Sequence, residues 1–130
     1  MIFPYKKLTD QTYGPVVPLH LKGETRWVQF NTFVDTGADY SVFHGVVARI
    51  LGLEIKTGER KIVTVGDGDH MEIYLHTLDV RFANNIFKAK IAFSSDFGAG
   101  FNLMGRASFF QRFRFCFNDR NSTLQVTKLY

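Results

Sequence analysis

The amino-acid sequence predicts an all-β domain, closed as a barrel or folded as a sandwich, with two short helices. Three observations support this class. About eight segments alternate apolar and polar residues, as strands with one buried face do. Only two segments have a helical period. A chain of 130 residues with 45% hydrophobic and 22% charged residues has the composition of a globular domain, so we assign residues 1–130 to a single domain.

The first two strands are predicted over residues 15–21 and 27–34. The segment PVVPLHL alternates loosely, and Pro15 and Pro18 place it at a sheet edge because proline cannot donate to a strand ladder. The segment WVQFNTFV is the second strand and ends directly before an aspartate. Residues 1–14 are mixed in character and are expected to be peripheral.

The first short helix is predicted over residues 44–51, HGVVARIL. Four apolar residues share one face of it: Val46, Val47, Ile50 and Leu51. Gly52 follows at the position where a glycine commonly ends a helix.

A long hairpin comes next, with arms over residues 60–65 and 70–82. Asp67 and Gly68 at its tip suit the positive φ angles of a tight hairpin turn. In the second arm the alternating apolar residues change phase near residues 76–77, which predicts a bulge or a bend.

The second half of the chain predicts three more strands and the second helix. In order along the chain, we expect a turn at 84–85, a strand over 86–93 and a glycine-rich loop over 94–100. A helix from Gly105 to about residue 112 and strands over 113–117 and 123–129 follow. Phe113, Phe115 and Phe117 alternate and are expected to face inward. Cys116, between them, is expected to be a buried filler.

Composition limits the function. A net charge of +4 is too small to require a nucleic-acid partner. The single cysteine cannot form an intramolecular disulfide, so nothing indicates an oxidising compartment. No apolar segment has the length of a signal peptide or of a bilayer-spanning helix, about 20 residues. We therefore expect a cytoplasmic domain with no membrane partner.

The segment FVDTGADYSVF, residues 33–43, places a carboxylate at the end of an apolar strand. Asp35 follows Phe33 and Val34 directly, and burying an unpaired carboxylate is costly. Something must therefore share or neutralise its charge. Asp-Thr-Gly occurs once in the chain, so a second carboxylate of the same kind is not supplied by this chain.

The hexapeptide VDTGAD resembles the catalytic signature of aspartic proteases. The segment NLMGRASF, residues 102–109, resembles the Gly-Arg segment beside the catalytic loop of the retroviral-type proteases, the retropepsins. The order of catalytic loop, glycine-rich hairpin tip and Gly-Arg segment is also that of the retropepsins, with Gly105 lying 70 residues after Asp35. The resemblance covers roughly residues 15–127 and implies a small closed retropepsin-like β-barrel.

The resemblance implies an aspartic endopeptidase that is active as a two-fold homodimer and needs neither a metal nor a cofactor. Asp35, Thr36 and Gly37 correspond to the catalytic triplet. In such a site two carboxylates share one proton, and one activates a water as base while the other acts as acid. Because each chain supplies one Asp-Thr-Gly, the second carboxylate comes from a second copy. Activity is expected to favour acidic pH, since one proton must stay on the pair.

The resemblance also implies a site for an extended peptide substrate. Its expected residues are Ala38, Asp39, Tyr40, Val65, Gly66, Asp67, Gly68 and Met104. The hairpin tip VGDGDH corresponds to the flap that closes over substrate, and it is more polar than flaps of this family usually are. Asp39 and Arg106 match an ion pair of the family that orients the catalytic loop.

Two other functions remain open. A domain of this fold without activity would serve as a dimerisation or peptide-binding module. An unrelated β-barrel would be a binding protein, and the alternating Arg and Phe of RFRFCFNDR would suit single-stranded nucleic acid. A dimeric mass separates the first two functions from the third, and peptide cleavage that is lost in Asp35→Asn selects the protease. His70 and His76 have no third ligand at a suitable spacing, so no zinc site is predicted.

Overall fold

The computed structural model describes residues 1–129 and is mostly β, with 54% strand and 7% helix. This confirms the predicted all-β class. The strands are β1 (Ile2–Pro4), β2 (Lys6–Lys7), β3 (Tyr13–Gly14), β4 (Val16–Lys22), β5 (Trp27–Val34), β6 (Ser41–His44), β7 (Glu59–Thr64), β8 (His70–Phe82), β9 (Asn85–Ser94), β10 (Asn102–Met104), β11 (Phe113–Asn118) and β12 (Thr123–Lys128). The first three strands lie in the segment that was expected to be merely peripheral.

Most strands belong to one seven-stranded sheet in the order β4-β5-β10-β6-β9-β8-β7, and β4 also pairs with β8. β10 is parallel to β5, and β6 is parallel to β9, while the other pairings of this sheet are antiparallel. A three-stranded sheet, β1-β12-β11, joins the two ends of the described chain, and β2 pairs with β3. The short strand β10 therefore lies between β5 and β6, beside the end of β5.

The predicted edge position of the first strand holds for only half of β4. Residues 16–19 pair with β5 alone, whereas His20 and Leu21 also pair with Arg81 and Val80 of β8. Pro18 lies in the half that has one neighbour, where a missing N–H is tolerated.

The predicted change of phase of the apolar residues in β8 is confirmed, but the prediction of a bulge there is wrong. The pairing of β8 with β9 runs without an extra residue from Tyr74 opposite Phe93 to Phe82 opposite Asn85. Instead, the strand serves two apolar clusters on its opposite faces. Met71, Ile73 and Leu75 belong to the smaller cluster, and Leu78, Val80 and Phe82 belong to the main core.

The centre of the main core is aromatic. The ring of Phe82, which is 1% exposed, lies about 5–6 Å from four other phenylalanine rings. Those partners are Phe3, Phe109, Phe113 and Phe115. The three-stranded sheet and the turn before it are thereby packed onto the end of the hairpin formed by β8 and β9.

The first helix, α1 (Gly45–Ile50), lies within the predicted residues 44–51. Gly52 follows with φ +77°, as predicted for a helix-ending glycine. The predicted apolar face is half wrong, because Val47 and Leu51 are buried but Val46 and Ile50 are about half exposed. A 3-10 turn over Ile55–Thr57 was not predicted.

The predicted second helix is wrong. Residues 105–112 form successive turns, in which the N–H of Phe109 and that of Phe110 both donate to the carbonyl of Arg106. Ser108 has φ +72°, which interrupts any helix, and its hydroxyl accepts a hydrogen bond of 3.0 Å from the N–H of Lys90 on β9.

Two predictions for the second half also need correction. Cys116 is exposed rather than buried. Burial falls along β11 from Phe113 to Phe117, which is 38% exposed, so the face that carries the phenylalanines is buried only at its start. The turn predicted at residues 84–85 lies one residue earlier, at Ala83 and Asn84, which both have positive φ.

Candidate active site

Asp35 is positioned by the parallel pairing of β5 with β10. Val34 is the last residue of β5 and is buried, and the N–H of Asp35 donates a 2.9 Å hydrogen bond to the carbonyl of Met104 at the end of β10. The carboxylate follows a buried strand but lies only half-buried itself in the single chain.

The backbone after Asp35 turns so that the amide of Gly37 faces the carboxylate. The N–H of Gly37 donates to Asp35 Oδ1 at 2.9 Å. The N–H of Ala38 donates to the carbonyl of Asp35 at 3.3 Å. A Cβ at residue 37 would lie 3.3 Å from that same Oδ1, so glycine keeps one side of the carboxylate open. Thr36 is exposed and points away from the described chain's core.

The Gly-Arg segment holds this loop in place through backbone contacts. The N–H of Arg106 donates to the carbonyl of Ala38 at 2.9 Å, and that of Ala107 donates to the carbonyl of Asp39 at 2.8 Å. The N–H of Gly105 donates to Ser41 Oγ at 3.0 Å. A Cβ at residue 105 would collide with the carbonyl group of Tyr40 and would lie 2.8 Å from the carbonyl oxygen of Ala38. Glycine is required at this position because two backbones meet there.

The ion pair predicted between Asp39 and Arg106 is not formed. The ion pairs among residues 1–129 do not include either side chain. The guanidinium of Arg106 lies instead over the ring of Phe110, 5.4 Å from its centre. The two segments are linked instead through the backbone, where Arg106 bonds to Ala38 and Ala107 bonds to Asp39.

A cleft of about 660 Å³ opens between the Asp35 loop and the hairpin of β7 and β8. It is lined by Asp35, Gly37, Ala38, Asp39, Tyr40, Val42, Ile62, Val63, Thr64, Val65, Gly66, Met71, Ile73, Phe97 and Leu103. Most of these side chains are apolar. The polar groups are concentrated at the end that carries the aspartates.

The structure brings five of the eight expected substrate residues into this cleft: Ala38, Asp39, Tyr40, Val65 and Gly66. Asp67 and Gly68 lie at the exposed tip of the hairpin, outside the lining. Met104 is fully buried, so its assignment as a substrate contact is wrong. Its carbonyl holds the backbone of Asp35 instead.

Sequence reasoning missed the apolar lining contributed by Ile62, Met71, Ile73, Phe97 and Leu103. Alternation had placed the first three on strands without showing which face would meet the aspartate loop. Phe97 lies in a glycine-rich loop that has no period to interpret.

The hairpin ends in a three-residue loop over residues 66–68. The N–H of Val65 donates to the carbonyl of Asp69 at 2.8 Å, and the N–H of Gly68 donates to the carbonyl of Val65 at 2.9 Å. Of the predicted Asp67-Gly68 pair only Gly68 has a positive φ, +90°. This is the geometry of a turn followed by a glycine bulge.

An exposed polar cluster joins the two arms of the hairpin. Arg60 Nε donates to Glu72 Oε2 at 2.6 Å, and the Tyr74 hydroxyl donates to Glu72 Oε1 at 3.1 Å. The hydrogen bond from Arg60, followed by that from Tyr74, lowers the pKa of Glu72 below its usual value. The cluster ties β7 to β8 on one wall of the cleft.

Within residues 1–129 no group of three or more His, Cys, Asp or Glu side chains could hold a metal ion. In the same part of the chain no helix has the length and apolar character needed to cross a membrane.

Comparison with known proteins identifies the fold. No family model matches the chain, and no curated protein matches its sequence. A retropepsin-like aspartic protease from Rickettsia conorii superposes with a TM-score of 0.67 at 18% identity, covering 98% of this chain and 98% of that one. The EIAV protease, solved with an inhibitor, superposes with a TM-score of 0.55 at 18% identity, covering 77% of this chain and 88% of that one.

The chain therefore has the fold of the retropepsin-like aspartic proteases. The resemblance that the two sequence motifs indicated is confirmed at the level of the fold.

Proposed function

We propose that the protein is an aspartic endopeptidase that hydrolyses peptide bonds as a homodimer. The observation that carries the proposal is the setting of Asp35. It is the aspartate of an Asp-Thr-Gly turn, it receives the N–H of Gly37, and it opens into an apolar cleft on a retropepsin-like fold.

The proposed chemistry uses Asp35 from each of two copies. Two carboxylates close together hold one proton between them, so one is the base that activates a water and the other is the acid that polarises the scissile carbonyl. The N–H of Gly37 is already directed at Oδ1 of Asp35.

Two features support the homodimer. The chain contains one Asp-Thr-Gly, and a second carboxylate of this kind has no other source than a second copy. Asp35 and Thr36 are accessible in the single chain, so another copy can reach them. In the proposed dimer each copy is a small closed barrel, with the pairing of β4 and β8 completing the ring of strands.

The proposed substrate is an extended peptide with apolar side chains next to the scissile bond. Support comes from the shape of the cleft, one wall of which is the hairpin and the other the loop from Asp35 to Val42. The hairpin is joined to the rest of the sheet along β8 only, so it is free to close as a flap and exclude water.

The test is cleavage of apolar peptides by the wild-type protein and by Asp35→Asn. Asparagine keeps an oxygen for the N–H of Gly37, so the variant should fold, while cleavage should fall by about a thousandfold or more because both acid and base functions need the carboxylate. Asp10→Asn, at a fully exposed aspartate, is the matched control and should cleave normally.

Sedimentation of both proteins gives the second readout. A dimeric mass with cleavage that depends on Asp35 supports the proposal. A dimer that cuts no peptide would instead be a silent dimerisation or peptide-binding module. Cleavage that survives in Asp35→Asn contradicts the mechanism.

A further inference from the structure

A second cavity, of about 700 Å³, lies beyond the cleft at the far end of β6. Its walls are α1, the 3-10 turn over Ile55–Thr57 and the start of the loop after β9. Its polar lining consists of His44, Arg49, Glu54, Lys56, Ser94 and Ser95. The hydroxyl of Ser94 is already bonded to the carbonyl of Glu72, whereas Arg49, Lys56 and Ser95 are exposed.

The second cavity adjoins the cleft. Val42 and His44 are alternate residues of β6 and share one face of the strand, and Val42 lines the cleft while His44 lines the second cavity. The ring of His44 packs against that of Phe97, with 4.7 Å between their centres, and Phe97 lines the cleft. The contact between these two rings, which are tilted by 38°, is therefore the boundary that a peptide would cross between the two cavities.

The two cavities differ in charge. The cleft carries the carboxylates of Asp35 and Asp39 and no basic side chain. The second cavity carries two cations, Arg49 and Lys56, against the single carboxylate of Glu54. Neither cation is in an ion pair within residues 1–129. Their charge is available to a ligand.

We propose that the second cavity binds an acidic side chain of the peptide that occupies the cleft. This inference rests on the proposed function, and it narrows the substrate class to peptides with an apolar centre and a Glu or Asp farther out. β6 extends about 10 Å from Ser41 to His44, which equals about three residues of an extended peptide. The acidic residue is therefore about three positions beyond the residue that contacts Tyr40.

The test uses two fluorescein-labelled peptides that differ only in their outer residues. Both have a central block of valine, phenylalanine and leucine and a Ser-Gly spacer on each side, so that the outer residue lies three positions beyond the block. One then carries Glu at both ends and the other Gln. Because two exposed ion pairs are involved, we expect kcat/KM to be about five- to tenfold higher for the Glu peptide, mainly through KM. The preference should shrink in high salt, which screens exposed charges.

Three variants assign the preference to the cavity. Arg49→Gln combined with Lys56→Gln should abolish the preference by lowering kcat/KM for the Glu peptide to the value for the Gln peptide. Glu54→Gln removes the opposing carboxylate and should increase the preference. Lys90→Gln combined with Arg120→Gln removes the same charge from exposed sites outside both cavities and should leave the preference intact.

Binding, measured by fluorescence anisotropy, separates this inference from the proposed function. Preferential binding of the Glu peptide without cleavage, lost in the Arg49/Lys56 variant, supports the cavity and contradicts proteolysis. Cleavage of both peptides at equal rates supports proteolysis and overturns the cavity. A preference that survives in the Arg49/Lys56 variant, or failure of the Glu peptide to bind, also overturns it.

Discussion

Replacing Gly105 by alanine tests whether the Asp35 loop is built by close backbone contact. The added methyl group would meet the carbonyl group of Tyr40 and the carbonyl oxygen of Ala38, the latter at 2.8 Å. Ordinary contact distances begin near 3.5 Å, so the two backbones must separate by more than half an ångström. No flexible side chain is present to move aside.

The cost follows from what that separation breaks. Overpacking of this kind typically costs about 1–3 kcal/mol. The separation also weakens two hydrogen bonds, from the N–H of Arg106 to Ala38 and from the N–H of Ala107 to Asp39, at about 1 kcal/mol each. The lower chain entropy of alanine in the unfolded state returns less than about 1 kcal/mol. We expect the free energy of unfolding to fall by about 3 kcal/mol.

Urea unfolding at one fixed protein concentration measures this loss, because the stability of a dimer depends on concentration. Gly98→Ala and Gly100→Ala are matched controls, since nothing lies within 4 Å of a Cβ at either position. Both should be neutral or slightly stabilising. If Gly105→Ala unfolds within about 0.5 kcal/mol of wild type, the close contact does not hold the loop and this reasoning is refuted.

Three further predictions concern other parts of the chain. Burial, followed by the hydrogen bond to Asp119, raises the pKa of Tyr5 to about 12, so the contribution of Tyr5 to stability should be complete below pH 10 and be lost between pH 10 and 12. The difference in the free energy of unfolding between wild type and Tyr5→Phe measures it, and a difference that does not change over this range would contradict the prediction. Because the hydrogen bond from Arg60 holds the pKa of Glu72 below its usual value, the stabilisation lost in Glu72→Gln should be full at neutral pH and be lost as the pH falls through that lowered pKa. Thermal unfolding at neutral and at acidic pH measures this, and an equal loss at both is the opposing outcome. Phe82→Ala should cost about 3–5 kcal/mol in urea unfolding because its ring packs against four others, and a cost below about 1 kcal/mol would show that the core closes over the gap.

Local patterns were enough to predict the seven longer strands, but not the short strands β1, β2, β3, β6 and β10. Alternation located the arms of the long hairpin, and even the change of phase in β8 was visible because it moves buried side chains from one face to the other. Alternation could not show that one regular strand packs against two apolar clusters, one on each face. The change of phase was therefore interpreted as a bulge or a bend. That distinction depends on the register with β9, which is a tertiary property.

Two other failures have different causes. The turns over residues 105–112 have apolar spacing that suits a helix, but Ser108 adopts a positive φ and bonds to β9, so packing between distant segments overrides the local pattern. Cys116 is exposed because it alternates with the phenylalanines of β11 and lies on the opposite face of the strand, where Arg114 is exposed too.

The candidate site also has a part that the sequence predicted and a part that it did not. Asp35, Gly37 and Gly105 could be predicted because each is fixed by backbone geometry within a short motif. The apolar cleft could not, because Ile62 and Phe97 reach it from segments far apart in the sequence. The side chains of Asp39 and Arg106 were paired by analogy, whereas the two segments are joined by backbone hydrogen bonds from Arg106 to Ala38 and from Ala107 to Asp39.

The half-exposed position of Asp35 separates the energetics of folding from those of catalysis. In the single chain its carboxylate meets solvent and one N–H, so the fold forms without removing a charge from water. On the proposed function, desolvation arises only when a second copy covers the site, and the shared proton then removes one of the two charges. The loop, by contrast, is shaped beforehand by the backbone contacts at Gly105. Changes at Gly105 should therefore destabilise the chain itself, whereas Asp35→Asn should leave its folding intact and remove only the chemistry.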